Sequence, residues 1–337
     1  MVPEIKKVLV IKLCCLGDII QTTPALRAIR QGGAQVHMLC SRWVGELLPL
    51  VPFINKAHVM DTGNIFSVAF TLMKLRGEKF DAVLNLHRDK KSHIFASLAG
   101  ASIRAGFSWR GSEKHLDKAV PFDPAMHESS RYLSAAAALG FPSAGEYTQI
   151  EAPLLALPGE TAGKLKVGIF AAGGNNPGTT MPTKRWPAEK FNELIRILES
   201  KGAAIYAFGA KFDKSIVENA VKGTNATVVI SGIGEFASYV KGLDAFVASD
   251  TGPLHIAAAL GVKTIGIYGP SSPYIFGAKG RRSINIWEQA SCPRSPCYEP
   301  MSVHKREFLE CRDNICMKSI DARAVAKLIL KDGGERP

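Results

Sequence analysis

The stretch Ser249-Asp250-Thr251-Gly252-Pro253-Leu254-His255 follows an apolar run, Ala245-Phe246-Val247-Ala248, and leads into Leu, Ile and Ala residues closed by Gly261. The spacing predicts a buried strand, a polar turn and a short helix. Pro253 suits the first helical turn, where a missing N–H costs nothing, and Gly261 suits the far end. Free backbone N–H groups and the positive end of the helix dipole would then face the turn, which makes it a seat for phosphate. The Thr251 hydroxyl and His255 add donors. A capped strand–helix turn with a core-facing histidine is the plainer reading of the same residues.

A second candidate is Asp18, in Lys12-Leu13-Cys14-Cys15-Leu16-Gly17-Asp18 beyond the first apolar run. Gly17 is expected to permit a tight turn after the strand. Asp18 is then either a helix cap or a carboxylate at a cleft edge, able to act as general base on a hydroxyl. A third cluster, Asn175 to Pro187, offers Thr179, Thr180, Lys184 and loop amides to phosphate oxygens. It is no P-loop, because the Gly-x4-Gly-Lys-Ser/Thr spacing is absent. Asp213, beyond the run ending at Phe208, either binds ribose hydroxyls or caps the following helix. Arg88, Lys90 and Lys91 lie beyond another strand end and could meet acidic groups of a ligand.

The elements that must position these residues alternate in type. Strands are expected at 7–11, 35–40, 57–60, 82–86 and 103–106. Helices are expected at 22–30, 44–50, 65–74, 93–98 and 131–139. The pattern lapses over 140–164, which is rich in Pro and Gly, and restarts with a strand at 166–170 and a helix at 187–201. Strands at 204–208, 227–230, 245–249 and 264–268 follow, with helices at 214–221, 236–241 and 254–260 between them. Asp321 reads as the N-cap of a last helix, 322–330. Such alternation implies right-handed βαβ units and parallel sheets. The fold class expected is α/β, with two Rossmann-like domains, 1–155 and 156–337, facing across a cleft. The final helix is a candidate to pack back on the first domain. Ligands of open parallel sheets bind beyond the carboxyl ends of strands.

Composition narrows the partners. The chain has 337 residues, 46% hydrophobic and 21% charged, with a formal charge of +12. That charge favours an acidic partner. Lys and Arg are scattered and carry no nucleic-acid-binding signature, so nucleic acid is not expected. No apolar run approaches the roughly 20 residues that cross a bilayer, and the start lacks a signal-peptide core. A cytoplasmic protein is expected, with mostly reduced cysteines. Cys14, Cys15 and Cys40 are expected in the core. Cys292, Cys297, Cys311 and Cys316 form two pairs of x4 spacing, suited to free thiols, a disulfide formed on oxidation, or a structural zinc. A dinucleotide oxidoreductase is not expected, since no Gly-x-Gly-x-x-Gly follows the first strand.

Three motifs occur in order: Leu16-Gly17-Asp18-Ile19-Ile20-x-Thr22-Thr23-Pro24-Ala25-Leu26-Arg27, then Lys184-Arg185-Trp186-Pro187, then Ser249 through Gly261. Together they resemble glycosyltransferase family 9, the lipopolysaccharide ADP-heptose heptosyltransferases. The resemblance implies a GT-B fold, with the donor on the carboxy-terminal domain and the acceptor on the amino-terminal domain. It implies inverting transfer from an ADP-sugar to a lipopolysaccharide core or lipid A acceptor at the inner membrane face, with no cofactor or metal required. Asp18 matches the catalytic base. Thr179, Thr180 and Lys184 match diphosphate-binding positions, and Thr251 and Gly252 the diphosphate turn. Asp250 and His255 match positions facing the donor sugar or its phosphates, and Asp213 a ribose-binding position. Lys12 and Arg88 stand as acceptor-binding candidates. Cys14 and Cys15 replace the small hydroxyl residues common in the family. A nucleotide-sugar epimerase, or a non-catalytic nucleotide- or glycan-binding protein of the same fold, is the competing reading.

Overall fold

A computed structural model describes residues 4–143, 145–159, 161–176, 179–298 and 311–331, with the backbone alone at 175, 176, 179 and 290. The chain divides into two compact units, Met1–Glu151 and Ala152–Pro337.

The first unit holds a six-stranded parallel sheet of order β3-β2-β1-β4-β5-β6. Its strands are β1 (Lys7–Ile11), β2 (Gln35–Ser41), β3 (Lys56–Met60), β4 (Ala82–Asn85), β5 (Ile103–Phe107) and β6 (Lys118–Val120). The central strands are apolar on both faces because helices cover both. Helices α1 (Leu16–Gln31) and α4 (Glu128–Ala138) pack against each other. Helices α2 (Ile65–Gly77) and α3 (Lys90–Leu98) bring Leu75, Phe95, Ala96 and Ala99 into one cluster with Leu9, Ile11, Leu39 and Val83.

Helix α1 starts six residues before the expected Thr22 and runs through Pro24. A proline there removes the hydrogen bond to the carbonyl four residues back, that of Ile20. The Thr23 hydroxyl donates to that same oxygen at 2.8 Å, so the carbonyl keeps a partner. The tight turn expected at Gly17 falls instead at Cys15, the N-cap, whose φ is 72°; Gly17 is already helical. The helix expected at 44–50 is a 3-10 helix, Arg42–Leu50, containing Pro49.

The second unit repeats the plan, with sheet order β11-β10-β7-β12-β13-β14, all parallel. The chain runs β7 (Lys166–Phe170), a two-stranded hairpin of β8 (Asn175–Asn176) and β9 (Thr179–Thr180), α5 (Ala188–Glu199), β10 (Ala204–Gly209), α6 (Lys214–Ala220), β11 (Thr227–Ile230), α7 (Ile233–Val240), β12 (Ala245–Ser249), α8 (Gly252–Ala259), β13 (Lys263–Tyr268) and β14 (Ser283–Trp287). Asp321 caps the closing helix Ala322–Leu330 by accepting from the Arg323 amide at 3.0 Å. That helix packs on α5 and β13, with Val325, Ala326 and Ile329 in the core that holds Phe191 and Ile195. Among the described residues, no helix is long and apolar enough to cross a membrane.

In both units the strand order reverses beside the first strand, between β1 and β4 and between β7 and β12. Such switch points leave a crevice at the carboxyl ends of the strands.

Candidate functional site

In the first unit, β1 and β4 flank the switch point and deliver Lys12, Asp18 and Arg88 to it. Asp18 lies in the first turn of α1, three residues past the Cys15 cap, where its charge suits the helix dipole. It is not the cap itself. The Lys12 ammonium holds Asp18 Oδ2 at 2.8 Å, with the lysine side chain 8% exposed and the aspartate 32%. A ligand therefore reaches the carboxylate more readily than the ammonium. Burial opposes the charge on Lys12, but Asp18, with smaller help from Tyr132, Cys14 and Glu128, keeps its pKa well above the ordinary lysine value.

Behind this pair stands a buried network that the sequence reading passed over. Glu128 accepts from Arg131 and from the Tyr132 hydroxyl, one turn along α4. Burial works against its charge, yet Lys12 and Arg131 outweigh that and hold its pKa below the usual carboxylate range. The Lys12 ammonium lies 5.3 Å from the centre of the Tyr132 ring. Arg88 stacks over Phe122 at 3.8 Å, and its charge is felt by Glu128 and Asp18. The spacing of Glu128, Arg131 and Tyr132, at i, i+3 and i+4, was the available signal.

Cys14 and Cys15 are half-buried rather than core residues; Cys40 is buried. A hydrogen bond between the two thiols and the nearby Lys12 hold Cys14 below its ordinary pKa, while the same bond and burial push Cys15 up. Their sulfurs and the Asp18 carboxylate lie within 4.8 Å of one another, a spacing that could hold a cation. Lys12 already supplies a positive charge there.

In the second unit, three loops converge beyond β7, β12 and β13. Asp250, following β12, accepts from the Lys184 ammonium at 2.7 Å and from the Ser271 hydroxyl at 2.7 Å. His255 Nε2 stands 3.6 Å from its other oxygen. Burial opposes ionisation of Asp250, but Lys184 and His255 outweigh it and hold the carboxyl far below the usual range. Lys184 also lies 3.8 Å from the Tyr298 ring centre. Tyr298 is fixed by its amide, which donates to Pro270 O at 2.9 Å.

Thr251 is the N-cap of α8, Gly252 its first residue and Pro253 its second. The Thr251 hydroxyl donates to Ser249 O at 3.1 Å, which fixes the turn. Opposite lies Gly173, with φ +119°, where an added Cβ would stand 2.2 Å from Thr251 Cγ2. Only glycine lets the loop after β7 approach the turn so closely. The pair Gly173-Gly174 was not singled out from sequence, although a double glycine after a strand is a signal of such approach.

Lys184, Asp250, Thr251, Gly252 and His255 are thus brought together. Thr180 is exposed in β9, while the side chain of Thr179 lies outside the described residues. Asp213 ends a short 3-10 turn after β10 and accepts from the Ala210 amide at 3.1 Å. It is buried, and its charge reaches Arg185. Trp186 is buried against Phe191, its amide donating to Ser249 Oγ at 3.0 Å, which ties the Lys184 loop to β12.

The four later cysteines share one neighbourhood. Burial, and then the other three thiols, push Cys316 up to about 12. All four are free thiols in this structure. Among the described residues no three of their sulfurs close into a metal-holding group, as Cys14, Cys15 and Asp18 do.

The sequence model of glycosyltransferase family 9 (heptosyltransferase) matches residues 70–305. The lipopolysaccharide heptosyltransferase 1 of Pseudomonas aeruginosa is 26% identical, across 95% of this chain and 96% of that protein. Two solved structures are similar in fold. The glycosyl transferase family 9 protein of Veillonella parvula superposes with a TM-score of 0.79 and 22% identity, over 98% of this chain and 99% of that one. The E. coli heptosyltransferase WaaC, solved with ADP, gives 0.75 and 19%, over 97% and 100%. The paired parallel sheets are those of the GT-B class. With the family model spanning more than two thirds of its length, the chain belongs to glycosyltransferase family 9 and is a glycosyltransferase.

Proposed function

We propose that this enzyme transfers heptose, or a related sugar, from an ADP-sugar to a lipopolysaccharide core acceptor, with inversion at the anomeric carbon. The observation that carries the reading is the cluster of Lys184, Asp250, Ser271 and His255 beside the Thr251 turn, a donor-rich seat at the switch point of the second unit. The similarity to lipopolysaccharide heptosyltransferase 1, and the ADP bound by WaaC, support the choice of substrates.

The second unit holds the donor. Lys184 and the first amides of α8 meet the diphosphate as its negative charge grows, so the scheme requires no metal ion. Asp250 orients the Lys184 ammonium. Thr180 and Thr179 extend the seat from the β8–β9 hairpin, and Asp213 takes the ribose hydroxyls. In the first unit, Asp18 accepts the proton of an acceptor hydroxyl. That oxygen attacks the anomeric carbon, the bond from carbon to the diphosphate oxygen breaks, and the electron pair leaves with ADP. Lys12 orients the Asp18 carboxylate before the acceptor arrives. Arg88 binds an acidic group of the acceptor. The enzyme works at the cytoplasmic face of the inner membrane, where such an acceptor is presented.

Calorimetric titration with ADP, UDP and GDP tests the donor assignment. ADP should bind tightest, and Lys184→Ala should weaken it by about tenfold or more. Equal affinity for the three nucleotides, or an unchanged Lys184→Ala variant, removes it.

A further inference from the structure

Helix α2 is apolar on both sides. Thr71 and Leu75 are buried, and Val68 and Leu72 pack against the core of the first unit. The opposite face carries Ile65, Phe66, Phe70 and Met73, at i, i+1, i+5 and i+8, all exposed; Phe66 is 83% and Ile65 73% exposed. A surface helix should be polar on its outer face, and one that is apolar all round needs a second apolar environment. Helix α3, on the same face of the sheet, adds exposed Ile94 and Leu98. Seven of the thirteen large apolar side chains exposed among the described residues fall between Val59 and Leu98, so the exposure is concentrated.

Beside this face runs a groove of about 620 Å³, whose walls include Arg42, Lys56, Lys74, Ser67 and Phe70. Three cations and one carboxylate, Glu78, line it. Glu78 is taken up by Lys56 and lies 3.9 Å from Lys7. The rim is therefore net positive next to a row of large apolar side chains. Lysine or arginine at the level of headgroups, with Phe and Ile below them, is the pattern of a helix lying in a bilayer interface. Self-association through a two-fold axis would set this cationic rim against its own copy.

We propose that α2 is a membrane-docking helix: Ile65, Phe66, Phe70 and Met73 enter the acyl boundary of an anionic bilayer, and Arg42 and Lys74 take lipid phosphate in the adjoining groove. The inference rests on the lipid-linked acceptor of the proposed function, and it names the surface that brings the enzyme to it. The docked enzyme stays at the membrane between successive acceptors.

The test is co-sedimentation of the full chain with vesicles of phosphatidylethanolamine and phosphatidylglycerol, against vesicles of phosphatidylcholine alone. Wild type should partition onto the anionic vesicles and come off as salt is raised. The triple variant Phe66→Ser/Phe70→Ser/Met73→Ser should partition at least tenfold less, with its melting temperature kept. The double variant Arg42→Ala/Lys74→Ala should lose the preference for anionic lipid. The proposal is overturned if wild type stays in solution, if the triple variant partitions like wild type, or if wild type is a dimer that the triple variant renders monomeric. Transfer to a deacylated, soluble acceptor separates this proposal from the function itself. It should proceed unchanged in the triple variant, and its absence in wild type would sink the function while the vesicle result stands on its own.

Discussion

Lys184 and Asp250, 66 positions apart in sequence, form a 2.7 Å ion pair in which each side chain is 9% exposed. A buried pair of this kind is costly to break, because the surviving charge keeps its desolvation penalty without its partner. Asp250→Asn should lower stability by about 3 kcal/mol in urea unfolding. The double variant Lys184→Met/Asp250→Asn should recover most of that loss while leaving ADP binding weak. Recovery of ADP binding in the double variant would show that Lys184 does not hold the diphosphate.

The same pair sets a pH dependence. The Asp250 carboxyl is held far below its usual range in the folded protein. Its stabilisation is thus fully present above the unfolded carboxylate value of about 4 and is lost as pH falls below that. Urea unfolding between about pH 5 and pH 2 should show wild type losing stability more steeply than Asp250→Asn. Parallel curves would mean that the carboxyl is not stabilised in its charged form.

Gly173 gives a steric test of the Thr251 turn. Gly173→Ala adds a Cβ 2.2 Å from Thr251 Cγ2 at a φ of +119°. The expected loss is about 2 kcal/mol of stability, with weaker ADP binding. Gly173→Ala/Thr251→Ser removes the clashing methyl but keeps the backbone strain, so it should recover part of the loss in a double-mutant cycle. Strict additivity would show that the two residues do not meet.

Glu128 is buried against Arg131, Tyr132 and the charge of Lys12. Glu128→Gln should destabilise the first unit by about 3 kcal/mol, because the buried Arg131 loses its counter-charge. Tyr132→Phe removes one hydrogen bond to the same carboxylate and should cost about 1 kcal/mol. Thermal unfolding measures both, and a larger loss for Tyr132→Phe than for Glu128→Gln would contradict the network as described.

Strand and helix alternation was legible because buried parallel strands are continuous apolar runs with turn residues between them, as at Val8–Ile11 and Ala245–Ala248. The edge strands β6 and β14 escaped, since Lys118–Val120 is short and Ser283–Trp287 is only partly buried. The start of α1 lies six residues before the expected one, and the Thr23 hydroxyl that satisfies the Ile20 carbonyl beside Pro24 leaves no mark in the apolar pattern. At the site, the Thr251 turn was readable because it follows directly on β12 and opens α8, whereas the turn before Asp18 falls at Cys15 and not at Gly17. The side-chain pairings were not. Lys184 with Asp250 follows from no local periodicity, for side chains on different loops meet only once the sheet order is fixed, and Lys12 meets Asp18 through the turn at Cys15, whose positive φ the sequence does not announce.

The most direct test of the account is the rate of sugar transfer from ADP-heptose to a core acceptor by wild type and by Asp18→Asn, measured alongside ADP affinity. Asp18 belongs to the first unit and the proposed diphosphate seat to the second, so the expected result is turnover in wild type, a fall of about 10² or more in the variant, and ADP affinity within about twofold. Undiminished transfer by Asp18→Asn would contradict it.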